Sequence, residues 1–127
     1  MSKPNVLIVD DHPVNRTLAR VLLRGAGWTT EDACDGEEAL QKLAGGGFGI
    51  VLLDISMPGI SGEEVCRRIR ADPVLKSLRV IAYTAHAMDD ERERILAAGF
   101  DSLITKPITK AALLAVVEGG QGAGTPQ

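Results

Sequence analysis

Apolar residues fall along this chain in two alternating rhythms. The runs Val6-Leu7-Ile8-Val9, Ile50-Val51-Leu52-Leu53 and Val80-Ile81-Ala82-Tyr83 are apolar at every position. Such runs, without in–out alternation, predict strands covered on both faces. Thr29-Thr30-Glu31-Asp32-Ala33 and Ser102-Leu103-Ile104 carry weaker strand patterns and fall second and fifth in order. Helical stripes lie between them. Val14, Leu18, Val21, Leu22 and Gly25 recur at helical spacing, with Gly25 or Gly27 as the stop. Gly36, Ala39, Leu40 and Leu43 form a second stripe, closed by Gly45-Gly46-Gly47. Val65, Cys66 and Ile69 form a third, ending before Pro73. Ile95, Leu96 and Ala98 precede Gly99, and Leu113, Leu114, Val116 and Val117 precede Gly119-Gly120.

Five β-α units in strict alternation predict an α/β domain with a parallel sheet and helices on both faces. Right-handed crossovers make the doubly wound form the natural arrangement. The 127 residues match one domain, and 45% hydrophobic with 24% charged residues is a globular composition with a real core. Aromatics are only 3%, so Val, Leu, Ile and Ala must build that core. A net charge of −3 argues against nonspecific nucleic-acid binding, which needs a basic surface. Cys34 and Cys66 do not make a disulfide scaffold and are read as reduced, small apolar residues. Only four apolar residues separate Asn5 from Asp10, which is neither a signal peptide nor a membrane span, so a cytoplasmic location is expected. The Gly-rich segment 119–127 is expected to be a flexible tail.

Ligands of open parallel sheets bind beyond the carboxyl ends of the strands. Asp10 and Asp11 follow strand one, Asp54 closes strand three, Thr84 closes strand four and Lys106 follows strand five. Three carboxylates gathered at one edge repel each other unless a cation offsets them. An all-oxygen set without a His or Cys cluster favours a hard ion such as Mg²⁺, which binds one or two carboxylates together with phosphate. A carboxylate can act as a nucleophile and form an aspartyl phosphate. Mg²⁺, Lys106 and the Thr84 hydroxyl are suited to stabilising charge on a transferring phosphoryl group. Each residue also has a plainer reading. Asp54 alone is compatible with a strand-end cap, Asp10-Asp11 with a helix N-cap that Asp11 or His12 provides, Thr84 with an ordinary strand residue and Lys106 with a solvated charge. Their joint placement favours the functional reading. The run Asp89-Asp90-Glu91-Arg92-Glu93-Arg94 reads as a solvated helix face, with partner recognition as the alternative.

Ile8-Val9-Asp10-Asp11, Leu53-Asp54-Ile55-Ser56-Met57-Pro58-Gly59, Tyr83-Thr84-Ala85 and Thr105-Lys106-Pro107-Ile108 resemble the signatures of bacterial response-regulator receiver domains, of the chemotaxis type. The resemblance runs over residues 5–117. It implies a flavodoxin-like (β/α)5 fold with strand order 2-1-3-4-5, a receiver domain over residues 1–118 and the tail over 119–127. It also implies that Asp54 is the phosphoacceptor, that Asp11 and Asp54 ligate Mg²⁺ directly, that Asp10 acts through water and that the Ser56 backbone carbonyl is the third protein ligand. Lys106 pairs with the phosphoryl group, Thr84 moves to bond it, and the Lys106–Pro107 bond is cis. Ser56 and His86 occupy positions that tune water access, and the face of helix four, strand five and helix five is the expected contact surface.

One position departs from the family. Three residues before Lys106 the family usually carries Tyr or Phe, and here Leu103 stands there. Tyr83 lies next to Thr84, but strand alternation points it to the opposite face. The expected function is a single-domain response regulator. It takes a phosphoryl group on Asp54 from a histidine kinase or phosphotransfer protein, catalyses its own Mg²⁺-dependent phosphorylation and dephosphorylation, and signals by protein contact as a monomer or phosphorylation-dependent dimer. No nucleic-acid or membrane partner is expected. The alternatives are a receiver segment of a hybrid histidine kinase and a non-phosphorylated interaction module. A flavin-type cofactor site lacks the Gly-rich phosphate loop and stacking aromatics it would need.

Overall fold

The computed structural model describes residues 5–85 and 88–118. Five strands alternate with five helices: β1 (Asn5–Val9), α1 (Pro13–Gly25), β2 (Thr29–Ala33), α2 (Gly36–Ala44), β3 (Phe48–Asp54), α3 (Gly62–Ala71), β4 (Arg79–Thr84), α4 (Asp89–Ala97), β5 (Ser102–Thr105) and α5 (Lys110–Glu118). The strands form one parallel sheet in the order β2-β1-β3-β4-β5. The expected doubly wound α/β fold is therefore present. The three uniformly apolar runs occupy the centre of the sheet, and the weaker β2 and β5 form its edges. An edge strand is covered less completely, so its sequence carries less apolar signal.

The sheet separates two cores. On one face Val6, Ile8, Leu52, Ile81, Tyr83 and Ile104 pack against Ala19 and Leu23 of α1 and Leu113 and Val117 of α5. On the other, Leu7, Val9, Val51, Leu53, Val80 and Ala82 pack against Ala39 and Leu43 of α2, Val65, Cys66 and Ile69 of α3, and Ile95 of α4. Alternate residues of each central strand thus feed opposite cores, as the two-residue side-chain period requires.

Helix α1 departs from the sequence reading. Val14, Val21 and Leu18 are 79%, 61% and 38% exposed, while Ala19 and Leu23 are buried. The stripe Val14-Leu18-Val21 faces away from the core and lines an open apolar groove with Pro13 and Thr17. Periodicity located the helix but not its inward face, because two apolar stripes share one helix and the smaller Ala19 fits under the sheet. Asp11 and His12 do not cap α1 through their side chains. Instead Asp10 Oδ1 accepts the His12 backbone N–H at 2.9 Å. Cys66 is a buried core residue, but Cys34 is exposed, so only one cysteine plays the small apolar role; both are free. In α4 only Ile95 is buried, and Arg94 reaches out of the helix to Glu63 of α3 at 2.8 Å. No helix among the described residues is long and apolar enough to cross a membrane. The expected tail, residues 119–127, lies outside the described residues, as does His86.

Candidate functional site

Sheet register aligns the candidate residues. Val9 pairs with Leu53, Asp54 with Tyr83, and Thr84 with Thr105, so Asp10, Asp54, Thr84 and Lys106 meet at the carboxyl edge of neighbouring strands. This is the edge at which parallel α/β sheets present their ligand crevices. Beneath it the β3–α3 loop folds back sharply. Gly59 has φ +81°, and a Cβ on Gly62 would lie 2.4 Å from the Asp54 carbonyl oxygen. Glycine is needed at Gly62 because the α3 backbone starts in contact with the end of β3.

Asp10 is 1% exposed and anchored from several directions. Its backbone N–H donates to the Ala33 carbonyl at 3.2 Å, and the Arg16 guanidinium donates to its carbonyl at 2.6 Å. With one carboxylate oxygen on the His12 amide, its Oδ2 has no hydrogen-bond partner. Asp11 beside it is partly exposed, and its Oδ1 is likewise without one. Asp10, Asp11 and His12 present ligand atoms within 4.8 Å of one another. The sequence reading left His12 out of this cluster. The ring is largely exposed and lies 3.6 Å from Asp10 Oδ1 and 3.4 Å from Asp11 Oδ1.

Asp54 is also 1% exposed. Its Oδ1 accepts from the Ser56 amide at 3.2 Å and from Lys106 Nζ at 3.2 Å, while Oδ2 has no partner. Burial pushes the Asp54 carboxyl up to about 6, and the nearby Asp10 carboxylate adds to the rise. Lys106 and the Ser56 amide pull the other way. Among the described residues, three carboxylate oxygens, Asp10 Oδ2, Asp11 Oδ1 and Asp54 Oδ2, are therefore buried without hydrogen bonds. Buried acceptors are rarely left so in native proteins, and an anionic oxygen set of this kind fits a hard divalent cation.

Lys106 is held at both ends. Its backbone N–H donates to the Thr84 carbonyl at 2.8 Å, its ammonium reaches Asp54, and the Lys106–Pro107 peptide bond is cis, as expected. The ammonium also lies 4.8 Å from the centroid of the Tyr83 ring. Sequence reasoning missed this contact. The signal was available in the register, because parallel partners share a face and Asp54, Tyr83 and Ile104 are neighbours across three strands. Thr84 is 6% exposed at the end of β4. Ala82, two residues before it, pairs with Leu103, which packs on the core facing α2, α3 and α4. Tyr83 belongs to the opposite core, as strand alternation predicts. The Ser56 side chain is exposed at the mouth of the site.

The sequence profile described as the response regulator receiver domain matches residues 6–118. The sensor histidine kinase RcsC of Salmonella typhi is 40% identical over 108 residues, which is 85% of this chain but 11% of that protein. The chain thus spans about a tenth of the length of the sensor kinases it matches. The chemotaxis protein CheY of Pseudomonas aeruginosa is 39% identical over 114 residues, covering 89% of this chain and 92% of CheY. Among solved structures, the receiver domain of a Pseudomonas aeruginosa sensor histidine kinase superposes with a TM-score of 0.86 at 30% identity. That alignment covers 96% of this chain and 100% of the other, whose active-site cleft holds a coordinated magnesium ion.

Proposed function

The chain belongs to the response regulator receiver domain family, and from that premise we propose that Asp54 is its phosphoacceptor in a Mg²⁺-dependent phosphorelay. Receiver domains serve two-component signalling as phosphoacceptors, not as enzymes in the ordinary sense, and they interact with histidine kinases or phosphotransfer proteins. The observation that carries the assignment is the Asp54 carboxylate. It is buried at a strand end, bonded to Lys106 through one oxygen, left with an unpartnered second oxygen, and near enough to Asp10 for that carboxylate to raise its proton affinity.

In this reading Asp10, Asp11, Asp54 and the Ser56 backbone carbonyl would hold Mg²⁺, which would supply charge neutralisation for the phosphoryl oxygens. Asp54 attacks phosphorus with a carboxylate oxygen. The bond from phosphorus to the donor nitrogen of a phosphohistidine breaks, its electron pair stays on the imidazole, and an aspartyl phosphate forms. Lys106, already in contact with the carboxylate, is placed to pair with the incoming phosphoryl oxygens. The Thr84 hydroxyl, at the same strand edge, bonds the modified group. In hydrolysis water attacks phosphorus, the bond from phosphorus to the Asp54 oxygen breaks with its electron pair left on the carboxylate, a proton of the water passes to solvent, and inorganic phosphate leaves. Nucleophilic attack requires the ionised carboxylate, which Lys106 and the Ser56 amide favour against burial.

We infer a protein phosphodonor, a histidine kinase or phosphotransfer protein. The exposed Val14, Leu18 and Val21 support this, since α1 starts just after Asp11 and an apolar patch beside the site suits a protein contact. A cytoplasmic, single-domain regulator at residues 1–118 with a short tail is the reading that the near full-length likeness to CheY supports. The likeness to sensor kinases supports a second reading, a receiver segment of a hybrid kinase. The test of the phosphoacceptor role is intact-protein mass spectrometry with acetyl phosphate and Mg²⁺. One phosphoryl group is expected on the wild type and none on Asp54→Ala. An unchanged wild-type mass, or equal labelling of the variant, contradicts it.

A further inference from the structure

We infer that Tyr83 is the positioning residue for Lys106, holding its ammonium against the phosphoacceptor carboxylate from beneath. The inference rests on the phosphoacceptor reading of Asp54 and extends it. Lys106 is the one cation in contact with Asp54 among the described residues, at 3.2 Å, and its side chain is 22% exposed. A lysine stem is flexible and its ammonium strongly hydrated, so a partly exposed lysine samples many rotamers unless something narrows them. Three contacts do so here. The backbone N–H is fixed on the Thr84 carbonyl, the ammonium meets Asp54 Oδ1, and the Tyr83 ring lies 4.8 Å below the same nitrogen.

The ring is well placed for this task. Tyr83 is 2% exposed and belongs to the core that also holds Ile8, Ile81, Ile104, Ile108 and Leu113. Its register partner on β3 is Asp54, and on β5 it is Ile104, two residues before Lys106. The three side chains thus rise on one face of the sheet in adjacent strands. The negative π face attracts a cation within about 6 Å. Ile108, in the turn that follows Lys106, belongs to the same core as the ring.

The test compares initial rates of acetyl phosphate labelling, in Mg²⁺, for the wild type and four variants. Tyr83→Leu removes ring and hydroxyl, and Tyr83→Phe keeps the ring. Lys106→Met removes the ammonium, and the double variant Tyr83→Leu/Lys106→Met closes the cycle. Losing one cation–π contact predicts about a three- to tenfold slower rate for Tyr83→Leu. Tyr83→Phe is expected to restore most of it. In the Lys106→Met background Tyr83→Leu should have no further effect, which a merely structural tyrosine would not satisfy. Wild-type labelling with an unslowed Tyr83→Leu overturns the inference, as does equal slowing by Tyr83→Leu with and without Lys106. Absence of labelling in the wild type would instead overturn the phosphoacceptor reading.

Discussion

Replacing Asp54 with Asn should stabilise the metal-free protein, and the gain should depend on pH in a defined direction. The Asp54 carboxyl is raised from 3.8 to about 6 by burial and by Asp10. The folded state therefore binds this proton more tightly than the unfolded state. Its contribution to stability is full below about pH 4 and is lost as pH rises through about 6. At about 1.4 kcal/mol per pH unit, a rise of this size corresponds to about 3 kcal/mol at pH 7.5. The opposing pull of Lys106 is already contained in that net rise, so Asn, which carries no charge to bury, should gain up to about 3 kcal/mol at pH 7.5. Urea unfolding in EDTA between pH 4 and 8 measures it. The wild type should fall behind Asp54→Asn as pH rises, and Mg²⁺ at a hundred times its Kd should return about 2.7 kcal/mol to the wild type. A difference that stays flat with pH, or an Asp54→Asn protein less stable than wild type at pH 7.5, would refute the claim that buried charge is concentrated at this carboxylate.

Two further predictions probe the scaffold. Gly62→Ala places a methyl group 2.4 Å from the Asp54 carbonyl oxygen, so a destabilisation of about 1–3 kcal/mol is expected, with slower acetyl phosphate labelling; unfolding curves and labelling rates that match wild type would remove the close approach from the account. On α1, Leu23→Ala should cost about 2–5 kcal/mol, whereas Val21→Ala should stay within about 0.5 kcal/mol, because Leu23 is buried and Val21 is 61% exposed. Equal losses in chemical denaturation would mean that the helix is rotated from the orientation described.

The sequence carried the fold because the three central strands announce themselves. Val6-Leu7-Ile8-Val9, Ile50-Val51-Leu52-Leu53 and Val80-Ile81-Ala82-Tyr83 are apolar on both faces, which only a strand covered by helices on both sides requires. Once those strands are parallel, the residues closing them must share one edge, and Asp10, Asp54, Thr84 and Lys106 follow without side-chain information. Two features were not legible in that way. The inward face of α1 depends on the depth available under the sheet, which periodicity does not contain, so Val14-Leu18-Val21 looked like a core stripe. The Asp10 carboxylate that accepts the His12 amide ahead of α1 depends on where the chain turns after β1, whereas Asp11 and His12 were the cap candidates in sequence and neither side chain caps the helix.

Leu103 is where sequence and structure inform each other most. The side chain usual at that position would lie on the face carrying α2, α3 and α4, and Leu103 packs there as an apolar residue. The aromatic ring near the site is Tyr83, on the opposite face and in contact with Lys106. The departure at Leu103 leaves the Asp54–Lys106 contact intact, because the two lie on different sides of the sheet.

The central claim is that the phosphoryl group resides on the Asp54 carboxylate. An acyl phosphate, unlike a phosphate ester or an unmodified carboxylate, is reduced by borohydride to an alcohol. The decisive measurement treats the acetyl phosphate-labelled protein with borohydride and sequences its peptides by mass spectrometry. Homoserine at position 54, formed only when Mg²⁺ and the phosphodonor are both present, is the predicted result. Homoserine at position 10 or 11 in its place, or an unaltered Asp54 in protein that has gained the phosphoryl mass, would contradict it.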